Sequence, residues 1–247
     1  MVQSEHDDQQ RNSVMWNALY EHHAGNRFPN EYLVKFVSFI NQASQFKELK
    51  ALDIGFGGFA NLSMCHELGY EPFGVEVSQH ALDKATAALD ERGVPFVGSL
   101  FEPPILPFED ETFTLVYSLQ ALYYNLNLEK MVQEIHRVLN PGGACYLTFF
   151  APKHWYFKHA DRVNENVVRW GDSHPTEGLR GLTLRYFDTK EALSALFPAF
   201  RNVRVDDFYS NMLDIDFHLW ILTAFKDSED MEAFNMQDHY EKIGRKS

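Results

Sequence analysis

The stretch ALDIGFGGFANL, Ala51 to Leu62, sets three glycines within four residues behind a short apolar run, with an acid, Asp53, just ahead of the first. An apolar strand that feeds a glycine turn and then a helix brings bare main-chain N–H groups and a helix N-terminus up to a nucleotide-like ligand. Gly55, Gly57 and Ala60 satisfy the G-x-G-x-x-[GA] spacing. Glu76 follows at about the 20-residue distance at which a carboxylate at a strand end accepts bonds from ribose hydroxyls.

The elements that must hold these residues alternate. Between Leu49 and Phe150 short β-like runs and helical patterns follow one another, the signature of parallel βαβ units. Ala51–Ile54, Phe73–Val77, Val94–Val97, Phe113–Ser118 and Ala144–Phe150 read as strands. Phe59–Leu68 reads as a helix closed by Gly69, and Ser78 caps a second that Gly93 stops. In LEKMVQEIHRVL the residues Leu128, Met131, Val132, Ile135, Val138 and Leu139 keep the 3.6-residue period. Residues 151–186 read as irregular. Asp188 and Glu191 then suggest a capping box for a helix ending at Pro198, and Val203–Asp207 and Phe217–Phe225 an antiparallel pair at the sheet edge.

The glycine turn alone is neutral between NAD and S-adenosylmethionine. Four ordered blocks break the tie: LDIGFGGF, GVEVS, GSLFEPPILPFEDETFTLVYS and EIHRVLNPGG. From Leu49 to Phe150 the chain resembles class I S-adenosylmethionine-dependent methyltransferases, whose pattern runs LDxGxGxG, GVDxS, GDxxxLPFxDxxFDxVxS and ExxRVLKPGG. The resemblance implies a Rossmann-like, doubly wound α/β fold with a mostly parallel seven-stranded sheet and an antiparallel edge strand, and S-adenosylmethionine as cofactor. It implies a cofactor site at Asp53, Gly55, Phe56, Gly57, Glu76, Val77, Ser99, Leu100 and Ser118. Phe59 stands at the third glycine position and Ser99 at the place of a common Asp, and both depart from the pattern. They motivate a second reading, a catalytically silent cofactor-binding partner or regulator. A nicotinamide-dependent oxidoreductase is a third, which the later blocks disfavour.

Ligand and substrate in such a fold meet at the carboxyl ends of the strands, so the loops after the fourth and fifth strands carry specificity. They are aromatic, with Tyr123 and Tyr124 in one and Trp155 in the other. Trp16 and Tyr20 add to the same end from an N-terminal helical lid, residues 1–47, in which Asn30 opens an amphipathic helix carrying Leu33, Phe36, Val37 and Ile40. Arg185, in the substrate-side insert 151–187, is placed to hold an acidic group. Methyl transfer to a hydroxyl benefits from a general base, for which His23, His154 and Tyr124 stand as the catalytic candidates, with His159 behind them. Carboxylates that would hold a metal after the fourth and fifth strands are missing, so no metal is implied.

Composition narrows the partners. A chain of 247 residues with 45% hydrophobic content buries one sizeable core, here residues 48–226. A formal charge of −13 disfavours a nucleic-acid partner and leaves a small molecule as the expected substrate. The polar start and the lack of a run of about 18 apolar residues argue against secretion and membrane spanning. Cys65 and Cys145, both in apolar segments, read as reduced thiols and point to the cytoplasm. Residues 227–247 read as a polar tail.

Overall fold

The computed structural model of the chain describes residues 2–23, 25–43 and 46–227. In chain order the helices are α1 (Val2–His22), α2 (Glu31–Ala43), α3 (Ala60–Glu67), α4 (Gln79–Asp90), α5 (Leu128–Val138) and α6 (Lys190–Ser194). The strands are β1 (Lys50–Ile54), β2 (Glu71–Glu76), β3 (Val97–Leu100), β4 (Phe113–Leu119), β5 (Leu139–Phe150), β6 (Ala160–Asn164), β7 (Val167–Trp170), β8 (Thr183–Arg185), β9 (Phe200–Met212) and β10 (Ile215–Lys226).

Seven of them form one sheet in the order β3-β2-β1-β4-β5-β10-β9, parallel except for β10, which runs antiparallel to both its neighbours. The crossovers from β1 to β2, β2 to β3 and β4 to β5 pass through α3, α4 and α5. Period-two alternation splits β1 between two cores. Leu52 and Ile54 join the buried face of α5, whereas Ala51 packs with Leu33 and Val37 of α2 and Met64 and Cys65 of α3. Each large side chain so buried stabilises by about 1.5–3 kcal/mol. Cys65 and Cys145 are free and buried, one in each core, and burial pushes both thiols up to about 12. No described helix is long and apolar enough to cross a membrane.

Several elements differ from their sequence reading: β5 starts at Leu139 rather than Ala144, and β9 runs over Phe200–Met212 rather than Val203–Asp207. The third strand starts at Val97 rather than Val94, because Gly93 at φ +66° ends α4 and the Val94 amide turns back to the Leu89 carbonyl (3.0 Å). Pro95 then has no N–H to give a neighbouring strand. The helix α6 is capped by Thr189, whose Oγ1 accepts from Ala192 N at 3.1 Å, while Asp188 is drawn off to Arg162 at 3.0 Å. It stops at Ser194, short of Pro198. The insert is not irregular: β6, β7 and β8 form an antiparallel three-stranded sheet of their own. The tail read at 227–247 lies, beyond Asp227, outside the described residues.

Candidate functional site

The strand order reverses between β1 and β4, and a crevice opens beyond the carboxyl ends of those two strands. Its floor is Ile54, Gly55, Glu76 and Val77 on one side and Leu119, Gln120 and Ala121 on the other. The space within and before the cleft, open solvent included, is about 650 Å³. Its roof is one face of α1, with Gln9, Asn12, Ser13, Trp16 and Tyr20.

Two glycines shape the turn after β1, and Gly55 lines the floor. Gly55 sits at φ +72°, and a Cβ there would collide with the Ala121 side chain. Gly57 sits at φ +56°, and a Cβ there would collide with the Tyr20 hydroxyl. Positive φ and close approach thus both demand glycine. Phe59, at the start of α3, turns its ring away from the cleft and lies under the Arg92 guanidinium, 4.0 Å from the ring centroid.

Two buried acids stand beside the turn. Glu76 Oε1 accepts from Gly57 N (3.0 Å), and Oε2 from Val77 N (2.7 Å) and Ser78 N (3.1 Å). Burial raises its pKa, against the opposing pull of those three amides. Asp53 is 1% exposed and its Oδ2 has no hydrogen-bond partner. Burial lifts its pKa well above the usual carboxylate range, the neighbouring Tyr117 hydroxyl opposes the rise, and the Glu76 charge adds to it.

The structure brings Trp16, Tyr20 and Tyr124 together, with the Trp16 and Tyr124 rings edge to face at 5.0 Å. Burial raises the pKa of both tyrosines and keeps the phenols neutral. The Tyr124 hydroxyl accepts from Trp170 Nε1 at 3.2 Å. Other expected site residues lie elsewhere. His23 is exposed beyond the end of α1, beside a separate shallow depression with Met15, Ala18 and Leu19. His154 is buried outside the cleft, where Nδ1 accepts from Tyr156 N at 3.2 Å and the ring packs on Phe150 and Phe217. Its burial, with His218 and His174 nearby, pushes its pKa down to about 4, so the imidazole is neutral. His159 and Trp155 pack on each other outside the cleft, and Tyr123 is buried against Phe149 and Phe150.

Arg185 is spent on Glu129, to which it donates twice at 2.8 and 2.7 Å, and on the Leu126 carbonyl at 3.1 Å. Ser118 is a stitch between strands, its Oγ donating to the Ile54 carbonyl at 2.8 Å. Phe56 packs its ring on Phe96 as core. Ser99 and Leu100 end β3, two strands out from the crevice, and do not line it. The insert 151–187 contributes no described lining residue and instead buttresses α1.

Sequence reading missed Gln9, Asn12 and Ser13, because their stretch is polar and acidic. A signal was there: positions 9, 13, 16 and 20 repeat at helical spacing and put Gln9 and Ser13 on the face that carries Trp16 and Tyr20. Asn125 and Met131 also line the cleft.

Comparison with known proteins gives the decisive observation. Residues 52–147, which hold the glycine turn, Glu76 and the β4 loop, match the family model described as a methyltransferase domain. By that match these residues are a methyltransferase domain. The chain is 34% identical over 94 residues to the mitochondrial arginine-hydroxylase NDUFAF5 of Mus musculus, covering 38% of this chain and 26% of that protein. It is 29% identical over 120 residues to phosphoethanolamine N-methyltransferase 2 of Caenorhabditis elegans, covering 48% of this chain and 27% of that protein. The chain thus matches about a quarter of the length of these relatives. A solved S-adenosylmethionine-dependent methyltransferase of Methanosarcina mazei shares the fold at a TM-score of 0.60 and 20% identity, over 77% of this chain and 98% of that one. The methyltransferase domain's cofactor suits these residues: a strand-end crevice lined by Gly55 and Glu76, and beside it a buried acid with a spare oxygen.

Proposed function

We propose that the protein transfers a methyl group from S-adenosylmethionine to oxygen or nitrogen of a small molecule. The observation that carries the reading is the roofed cleft at the strand switch point, built on the methyltransferase turn and closed by Trp16 and Tyr20. When bound, the cofactor supplies an electrophilic methyl group on a sulfonium. Gly55 admits its methionyl part at the cleft floor, Tyr20 lifts off Gly57 where the ligand reaches the turn, and Asp53 Oδ2 faces its ammonium directly or through water. Glu76 takes the ribose hydroxyls. A carboxylate offers about four lone-pair sites, and amides hold three of those on Glu76. Holding both hydroxyls therefore means giving up an amide, and the Gly57 N–H on the turn is the one positioned to leave.

The acceptor meets alignment and desolvation rather than a strong base. The titratable groups of the cleft are the neutral phenols of Tyr20 and Tyr124 and the amide-bound Glu76. Such a site suits a neutral amine or an acidic hydroxyl, held in line by α1 and shielded from water. The same observation favours a second reading, cofactor binding without transfer. The buried free thiols of Cys65 and Cys145 support the cytoplasm as its compartment.

The test pairs calorimetry with S-adenosylhomocysteine and transfer of labelled methyl from S-adenosylmethionine into a small-molecule extract. Binding with label in extracted products is the expected result. Tight binding with no transfer carries the second reading, and no binding sinks both.

A further inference from the structure

On the methyl-transfer reading, we infer that the acceptor end of the cleft takes a flat, largely apolar molecule that presents an oxygen to Asn125 and carries no phosphate or carboxylate. The cleft's lining includes Trp16, Tyr124, Met131, Pro103 and Leu122, aromatic and aliphatic surfaces suited to a ring. The polar groups among them are neutral, and most are already engaged. Asn12 donates to the carbonyls of Tyr124 (3.0 Å) and Thr183 (2.7 Å) and accepts from Thr183 N (3.0 Å). Ser13 donates to the Gln9 carbonyl at 3.3 Å, and Gln9 Oε1 accepts from Leu126 N at 2.9 Å.

Among the described lining residues Asn125 holds the unpaired donor that is buried. It is 6% exposed, and its Oδ1 accepts from Asn127 N at 3.1 Å, while Nδ2 is buried with no partner. A buried donor left without an acceptor is costly, and a ligand oxygen supplies what it lacks.

Charge excludes the anions. Among the described residues that line the cleft none is Lys, Arg or His. Three cations that bond to α1 or to the loop after β4 have partners: Arg169 both Asp8 oxygens at 3.1 and 3.0 Å, Lys84 main-chain carbonyls, and Arg185, whose buried Nε alone is unpaired, Glu129 and the Leu126 carbonyl. A phosphate or carboxylate on the acceptor would lose its water and meet no cationic side chain of the described lining. It would also face Glu76 and a chain of net charge −13. The committed Arg185 removes the anchor for an acidic group that its position in the sequence suggested.

The experiment titrates the full chain, saturated with S-adenosylhomocysteine, with para-hydroxyacetophenone and para-hydroxybenzoate, which differ by an acetyl group against a carboxylate. An aromatic fragment set divided evenly between uncharged and anionic members accompanies them. The ketone should bind at least about tenfold more tightly than the benzoate, and the fragment hits should be uncharged. Asn125→Asp keeps the acceptor for Asn127 N and removes the donor, and should cost the ketone about tenfold while leaving S-adenosylhomocysteine affinity unchanged. Equal binding, a preference for the anions, or a cleft that takes neither class overturns the inference. Titrations without S-adenosylhomocysteine read the cleft alone, so a protein that ignores that compound yet keeps the preference sinks methyl transfer and leaves the ligand class standing.

Discussion

Asp53 and Glu76 are two acids beside one turn, and their surroundings set them different tasks. Glu76 is held by three amides. Replacing it with Ala removes charge-assisted acceptors for the ribose, and should weaken S-adenosylhomocysteine binding by roughly 1.5–3 kcal/mol, about ten- to a hundredfold, in calorimetry. Unchanged affinity in a folded variant would remove Glu76 from the site. Asp53 is governed first by burial, which raises its pKa well above the usual carboxylate range. The folded protein therefore keeps a proton that the unfolded chain releases above about pH 4. The stability that goes with a raised pKa is fully present below the unfolded value and is lost as pH rises through the folded one. Asp53→Asn does not titrate, so its melting temperature relative to wild type should climb with pH above about 4. A difference that stays flat from pH 4 to 8 would show that Asp53 is ionised in the folded protein.

The element that turns a strand-end crevice into an enclosed site is α1. Its C-terminal half is tied to the start of α4, the helix that follows Glu76. Asn17 Oδ1 accepts from Ser78 Oγ (3.1 Å) and His80 N (3.4 Å), and Lys84 Nζ donates to the carbonyls of Tyr20 (2.6 Å), Glu21 (2.8 Å) and His23 (3.0 Å). A cation on the last carbonyls of a helix both satisfies them and complements the helix dipole. Lys84 thereby positions Tyr20 over Gly57. Losing that charge in Lys84→Met should cost the closed position about 0.5–1 kcal/mol, a two- to fivefold shift toward open. Hydrogen exchange is expected to quicken across residues 17–23 while the sheet amides keep their protection. Exchange that does not change in this segment would mean that packing alone holds the lid.

At the scale of the whole molecule, α1 also joins the two sheets. Asn12, 1% exposed, bridges the loop after β4 to Thr183 of β8, and Asp8 reaches Arg169 of β7. Asn12→Leu leaves three buried main-chain groups without partners and should destabilise the fold by about 2–3 kcal/mol. For a domain of this size that is roughly 4–12 °C in melting temperature. Circular dichroism would show it, and a melting temperature within about 1 °C of wild type would mean that water replaces the bridge.

By itself the sequence determined what depends on near neighbours in the chain. The glycine turn, the Ser78 cap and the apolar stripe of α5 are local patterns, and each reads the same in isolation as in the fold. The parallel sheet followed from their alternation. The tertiary structure alone decided which charges meet and which aromatics share a wall. Arg185 finds Glu129 across 56 residues, and Asn12 finds Thr183 across 171. Neither pairing leaves a periodic trace, because it depends on which elements become neighbours once the sheet is assembled. His154 shows the same limit: its type suggested a base, but the aromatic surroundings that make it a neutral core residue come from β5 and β10. Burial and long-range partners fix the state of a titratable group, and both arise only when the chain has closed on itself.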